Sequence, residues 1–156
     1  MALEIERKFL VNRINIETLR SATKLVIQQG YIFDWFNTVI RTRRSNDIGF
    51  LTIKRNTGLD TLGVNEYEWS IPGWLASALM YVSFLGKIEK TRYNINYKGH
   101  TFELDIFEGK NDGLVVVEVE LTDPDEYVAL PDWVGEEVTG QKQYYNKNLA
   151  KGKKWV

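Results

Sequence analysis

Two carboxylates and an ammonium stand two residues apart near the start of the chain, in Leu3-Glu4-Ile5-Glu6-Arg7-Lys8-Phe9-Leu10-Val11. In a strand, side chains at i, i+2 and i+4 share one face, so Glu4, Glu6 and Lys8 would point together while Leu3, Ile5 and Phe9 point the other way. Oxygen ligands for a hard cation beside a cation for an anionic ligand suit phosphate chemistry. The design recurs. Arg41 and Arg43 stand two apart, as do Glu66 and Glu68, Lys90 and Arg92, Glu103 and Asp105, and Glu118 and Glu120. Lys54 is opposite in face to Leu51 and Ile53. A sheet with one wet side also alternates, but solvated faces favour mixed signs. Like charges two apart on one strand repel, at a cost, unless something of opposite charge lies between them. A polyanion with a divalent metal satisfies both sets, because carboxylates suit Mg2+ and guanidinium forks match phosphate oxygens.

Period-two alternation predicts the strands that must carry these residues: Leu3–Val11, Val39–Arg44, Phe50–Arg55, Glu66–Ile71, Ile88–Tyr97, His100–Glu108 and Val115–Leu121, with Gln29–Phe33 as a further candidate. Asn96–His100 reads as a hairpin turn with Gly99 available for positive φ. Ser45–Gly49 and Asn56–Gly63 carry further turn signals. Helices are expected over Asn15–Lys24 with Asn15 as cap, from Pro72-Gly73-Trp74 to about Phe84, over Asp123–Ala129 with its acidic start, and over Gln141–Leu149. Many strands and few helices predict an α+β fold on a large antiparallel sheet, and closure into a barrel would remove exposed edges.

Composition narrows the function classes. The 156 residues suit one domain spanning 1–156, and 44% hydrophobic content suits a packed core. No run is long enough to cross a bilayer as a helix, and no signal peptide is seen at the start, so no membrane partner is expected. The absence of cysteine fits a reducing compartment, and a cytoplasmic location is expected. A net charge of −1 argues against bulk attraction to nucleic acid. No Gly-x-Ser-x-Gly elbow and no P-loop is present. His100, the one histidine, reads as a solvated turn residue. Trp69, Trp74, Trp133 and Trp155 read as core or interface, and Lys151–Lys154 as a solvated tail.

The ordered blocks resemble a known family. Glu4-Ile5-Glu6-Arg7-Lys8 is similar to the ExExK signature of the CYTH domain, the triphosphate tunnel metalloenzymes. Gln29-Gly30-Tyr31, Arg41-Thr42-Arg43, Leu51-Thr52-Ile53-Lys54, Glu66-Tyr67-Glu68, Glu89-Lys90-Thr91-Arg92-Tyr93, Phe102-Glu103-Leu104-Asp105-Ile106-Phe107 and Val117-Glu118-Val119-Glu120 follow in order. Trp133, Gly135-Glu136-Glu137-Val138-Thr139 and Tyr145 complete the match near the C-terminus. The resemblance implies an eight-stranded antiparallel β-barrel, a tunnel for triphosphate, with a few peripheral helices. It implies Glu4, Glu6, Glu118 and Glu120 as ligands of Mg2+ or Mn2+, and Lys8, Arg41, Arg43, Lys54 and Arg92 as phosphate contacts. Lys90 would stand near the attacking water and Tyr31 would be a proton acceptor. The helix from about Gln141 would plug one tunnel end. Val64 departs from the pattern, since close bacterial relatives often carry arginine there; Lys87 or Arg55 could compensate.

The expected activity is metal-dependent hydrolysis of inorganic tripolyphosphate to pyrophosphate and phosphate. Two alternatives stand beside it. One is another enzyme on the same scaffold, either a class IV adenylyl cyclase or a nucleoside or thiamine triphosphatase. The other is a non-catalytic polyphosphate-binding module. The oligomeric state, monomer or homodimer, is left open.

Overall fold

The computed structural model describes residues 2–56, 63–152 and 155, with the backbone alone at 2–4, 56, 63 and 64. Residues 57–62 of the expected Asn56–Gly63 turn, together with Lys153 and Lys154 of the C-terminal cluster, lie outside the described residues. Among the described residues the strands are β1 (Ala2–Val11), β2 (Thr23–Trp35), β3 (Thr38–Ser45), β4 (Ile48–Asn56), β5 (Gly63–Pro72), β6 (Lys87–Tyr97), β7 (His100–Phe107), β8 (Val115–Leu121) and β9 (Val134–Glu137). They form one antiparallel sheet in the order β5-β4-β3-β2-β6-β7-β8-β1-β9. A further pairing, Ala2↔Glu66 through Ile5↔Gly63, brings β5 against β1. The sheet therefore curls into a barrel-like tunnel. The expected α+β arrangement holds, with β9 as a short ninth strand beside the second half of β1.

Local chemistry explains the elements. The β6–β7 hairpin turns at Lys98 and Gly99, with φ of 45° and 91°, the left-handed pair that the twist of a two-residue hairpin demands. Helix α1 covers only Ile16–Arg20, capped by the Asn15 side chain, which accepts from the Glu17 N–H. The expected helix to Lys24 stops short because the chain has already entered β2 at Thr23, on a run with β-branched Val26 and Ile27. Helix α2 runs Gly73–Tyr81 and packs on the outside of the sheet.

Two expected helices are corrected. Asp123–Ala129 is not helical. The Glu126 carboxylate accepts from the Thr122 N–H and hydroxyl, and Asp123 Oδ1 accepts from the Asp125 N–H. Such side-chain bonds offer the backbone an alternative to the helix. The stretch Gln141–Leu149 breaks at Tyr145, where ψ is 129°, into a 3-10 turn over Lys142–Tyr144 and helix α3 over Asn146–Ala150. Carbonyls a continuous helix would use are taken by side chains: Asn148 donates to the Lys142 carbonyl and Lys8 to that of Tyr144.

Hydrophobic packing lies mainly outside the tunnel and at one end of it. Ile5, Phe9, Phe102, Leu104, Val117 and Val119 alternate with the charged residues and pack outward under Val128, Trp133 and Leu19. Inside one end, Tyr31, Ile88, Phe107 and Val116 pack against Tyr144, Leu149 and Ala150. Each fully buried large apolar side chain contributes about 2 kcal/mol, so Phe107 and Leu149 help to hold this end closed. Trp133 and Trp155 join these clusters, whereas Trp69 and Trp74 are exposed.

Candidate active site

The inward positions of the curled sheet converge on one polar cavity of about 230 Å³. Its cationic lining is Arg41 and Arg43 from β3, Lys54 from β4, and Lys90 and Arg92 from β6. Its carboxylates are Glu6 from β1, Glu66 and Glu68 from β5, Glu103 from β7, and Glu118 and Glu120 from β8. Gln29 and Asn146 complete it. The parity that set like charges on one face is the reason they meet. Eight of the residues expected from sequence line the cavity: Glu6, Arg41, Arg43, Lys54, Lys90, Arg92, Glu118 and Glu120. The Glu4 side chain lies outside the described residues, though its backbone continues the β1 face. Lys8 sits just behind the lining, bonded to Glu118 at 2.7 Å and to the Tyr144 carbonyl at 3.2 Å.

The two charge sets hold one another. Asp105, fully buried, accepts from Lys90 at 2.5 Å and from Arg92 Nε and Nη2, each at 2.7 Å. Arg92 also reaches Glu118 at 3.1 Å and bonds Glu103. Lys54 and Arg41 meet Glu66 at 2.7 and 3.5 Å, and Arg43 meets Glu68 at 3.1 Å. Donor capacity remains: the buried Nε groups of Arg41 and Arg43 have no hydrogen-bond partner among the described residues. Buried donors left unpaired are costly, and an anion in the cavity would satisfy them.

The electrostatics follow from these neighbours. Repulsion from Glu118, then burial, pushes the Glu6 carboxyl up. Glu118 itself is held well below the usual carboxylate range: burial opposes this, but Lys8, Lys90 and Arg92 outweigh it. Lys8 loses to burial yet is raised by Glu118 and Glu6, so its ammonium stays charged. Burial pushes Lys90 down more than Asp105 lifts it. Burial, then Arg41, lowers Arg43.

A divalent ion fits this donor set. Carboxylate repulsion at Glu6 is relieved by a cation, and Glu6 stands opposite Glu120 in the β1–β8 register beside the pair Lys8↔Glu118. Among the described residues no three carboxylates already form a ligating cluster, and Glu118 is engaged by Lys8 and Arg92.

Tyr31 does not suit the role of proton acceptor. Its ring packs in the apolar end, its hydroxyl accepts from Gln29 at 2.6 Å, and burial pushes the phenol up to about 12. Such a phenol keeps its proton near neutrality. Lys87 and Arg55 do not replace the cation missing at position 64: both are exposed, and Lys87 stands over the Tyr81 ring. The Val64 side chain lies outside the described residues. His100 is more than a solvated turn residue, since its Nε2 stands 2.8 Å from Glu126.

Sequence reasoning gave no site role to Gln29 or Asn146. Gln29 belongs to a quoted block and alternates with Tyr31, so parity could have placed it. Asn146 carries no local signal, since it reaches the cavity from the C-terminal segment.

Comparison with known proteins agrees with this geometry. The CYTH domain family model matches residues 2–152. A protein of Acetivibrio thermocellus named inorganic triphosphatase is 42% identical over 97% of this chain and 95% of its own length. One of the same name from Nitrosomonas europaea is 37% identical over 94% of this chain and 96% of its own. A crystal structure of an inorganic triphosphatase superposes with a TM-score of 0.70 at 34% identity, covering 97% of this chain and 96% of the other. The fold also matches a Hippeastrum protein described as a putative adenylyl cyclase with dominant triphosphatase activity, with a TM-score of 0.58 at 16% identity over 78% of this chain and 80% of that one. No helix among the described residues is long and apolar enough to cross a membrane.

Proposed function

This chain belongs to the CYTH domain family, and on that premise we propose that it is a divalent-metal-dependent hydrolase of inorganic triphosphate, releasing pyrophosphate and phosphate. One observation carries the reading: a single cavity holds five cationic side chains facing six carboxylates, with two guanidinium Nε donors unpaired. Residues 1–156 are read as one domain of this family. A cytoplasmic setting belongs to the same proposal and rests on the absence of cysteine.

Arg41, Arg43, Lys54 and Arg92 bind the phosphate chain, exchanging carboxylate partners for phosphate oxygens. Lys8 supports this charge from behind through Glu118. The residues that would hold the metal are Glu6, Glu118 and Glu120, with Glu4 on the same strand face; Mg2+ or Mn2+ suits them. When bound, such an ion neutralises phosphate charge and polarises the phosphoryl group under attack. Lys90, pinned by Asp105, directs its remaining N–H donors into the cavity and orients the attacking water. Tyr31 acts through Gln29, fixing the amide that lines the cavity. Phosphoryl transfer depends mainly on positioning and charge stabilisation, which this cavity supplies without a nucleophilic side chain.

Product analysis tests the proposal. The purified chain, with Mg2+ or Mn2+, is given tripolyphosphate, ATP and thiamine triphosphate in turn. Rapid release of phosphate and pyrophosphate from tripolyphosphate, with slower ATP turnover and no cyclic AMP, is expected. Cyclic AMP as the main product from ATP, with tripolyphosphate intact, would replace the hydrolase with a cyclase. Tight binding without turnover would make the chain a polyphosphate-binding module.

A further inference from the structure

The filled end of the tunnel carries a polar group that the charge network does not use. Among the described residues lining the cavity, only Gln29 and Asn146 are neutral. The Gln29 amide is committed, donating to the Tyr31 hydroxyl at 2.6 Å. The Asn146 amide makes no hydrogen bond among the described residues. The backbone that carries it is fixed from both sides. Two residues before it, the Tyr144 carbonyl accepts from Lys8 at 3.2 Å, and Lys8 in turn binds Glu118 at 2.7 Å. One residue after it, Lys147 reaches Asp34 of β2 at 3.2 Å. Three after it, the Leu149 carbonyl accepts from Asn111 at 3.2 Å. A Cβ at Gly86 would run into the Ala150 carbonyl, so this segment is pressed against the start of β6. Tyr144, Leu149 and Ala150 are buried against Ile88 and Phe107 and form an end wall to the cavity.

We propose that Asn146 is a further substrate-binding residue, donating its amide to the free end of the phosphate chain, and that the wall behind it admits only an unsubstituted terminal phosphoryl group. The proposal rests on the triphosphatase reading of the same cavity and adds the direction in which the substrate lies. Arg41, Arg43, Lys54 and Arg92 must release carboxylates before they can hold phosphate. The Asn146 amide has no protein partner to release and exchanges only water for an anionic oxygen, a charge-assisted bond. A terminal phosphoryl group presents three acceptor oxygens, more than an internal one, so a donor at the wall favours a chain that terminates there. The packing of Tyr144, Leu149 and Ala150 leaves no space for an ester group on that phosphoryl. A nucleoside must therefore point away from α3, and a chain esterified at both ends is excluded.

Isothermal titration calorimetry in EDTA buffer tests the proposal, because binding is then read apart from turnover. The wild-type chain is expected to bind tripolyphosphate and ATP, and to bind diadenosine triphosphate at least about 100-fold more weakly. Asn146→Ala should raise the dissociation constant for tripolyphosphate about tenfold, the loss of one hydrogen bond to a charged group. Asn146→Asp keeps the shape and sets a carboxylate against the phosphate, so the rise should reach about 100-fold. Amide hydrogen exchange at Leu149 and Ala150 should stay as slow as in the wild type. Should the aspartate variant fail to fold, the alanine variant decides. Unchanged affinity in the variants overturns the proposal, as does diadenosine triphosphate bound as tightly as tripolyphosphate. Lost affinity together with fast exchange at Leu149 also overturns it, because Asn146 would then only seat α3. A chain that binds tripolyphosphate through Asn146 yet leaves it intact when Mg2+ is added loses the hydrolase reading and keeps this one. A chain that hydrolyses it with the Asn146 variants unaffected does the reverse.

Discussion

Asp105 is the carboxylate whose loss should be felt most. It is fully buried and binds Lys90 at 2.5 Å and both Arg92 Nε and Nη2 at 2.7 Å. Asp105→Asn keeps the shape and removes the charge. Breaking a buried pair by removing one partner costs about 3–5 kcal/mol, because the other charge is left uncompensated. Arg92 retains Glu118 and Glu103, which argues for the lower end, about 3 kcal/mol. Unfolding entropy near 2.1 cal/mol/K per residue over a chain this long turns that into a drop in Tm of roughly 9 °C. The burden falls on Lys90, which loses its short bond and keeps the Phe107 ring at 5.4 Å. Adding Lys90→Met removes the stranded cation, so the double variant should recover about 1–3 kcal/mol relative to additivity. Thermal and urea unfolding of the four proteins in the cycle measure both quantities. An Asp105→Asn variant within about 1 kcal/mol of wild type, or no recovery in the double variant, would refute the reasoning.

Other outcomes follow from the same geometry. Glu6→Gln should abolish turnover, a loss of at least about 100-fold, without lowering Tm in metal-free buffer, because Glu118 already opposes the Glu6 charge; activity assays and calorimetry on one preparation check both. Tripolyphosphate should raise Tm by binding the native state; Arg43→Ala should shrink that shift, while Lys151→Ala, remote on Asp34, should leave it unchanged. The Glu126 carboxyl, lowered to about 2 by the Thr122 N–H, the His100 side chain and the Thr122 hydroxyl, lies below its ordinary value of 4.5. Its contribution to stability is therefore complete above about pH 4.5 and lost as pH falls toward 2. An NMR titration of this carboxyl should show the low midpoint, and His100→Ala should move it up.

The sequence by itself determined β1 to β8 and which side chains share a face, whereas β9, four residues long, carried no alternation that marked it. Period two is a covalent property of extended chain, so Glu6 with Lys8, Arg41 with Arg43, and Glu118 with Glu120 were bound to project together in any sheet. That is why the charged face, and eight of the residues expected to work in it, were legible without coordinates. Only the tertiary structure decided how these faces satisfy one another. Glu103 and Asp105 read from sequence as carboxylates that orient the cations, but that Asp105 anchors Lys90 and Arg92 in particular was decided only when β6 and β7 came into register, with Arg92 opposite Asp105. Tyr31 shares the inward parity of Gln29, yet packing placed its ring in the apolar end and left it a phenol that holds its proton. The sequence signals for helix over Asp123–Ala129 and Gln141–Leu149 were local, and side-chain bonds to the backbone outweighed them, one set reaching across from Lys8. Asn146 enters the cavity because α3 docks on the far end of the sheet. That contact spans most of the chain, and no short-range pattern encodes it.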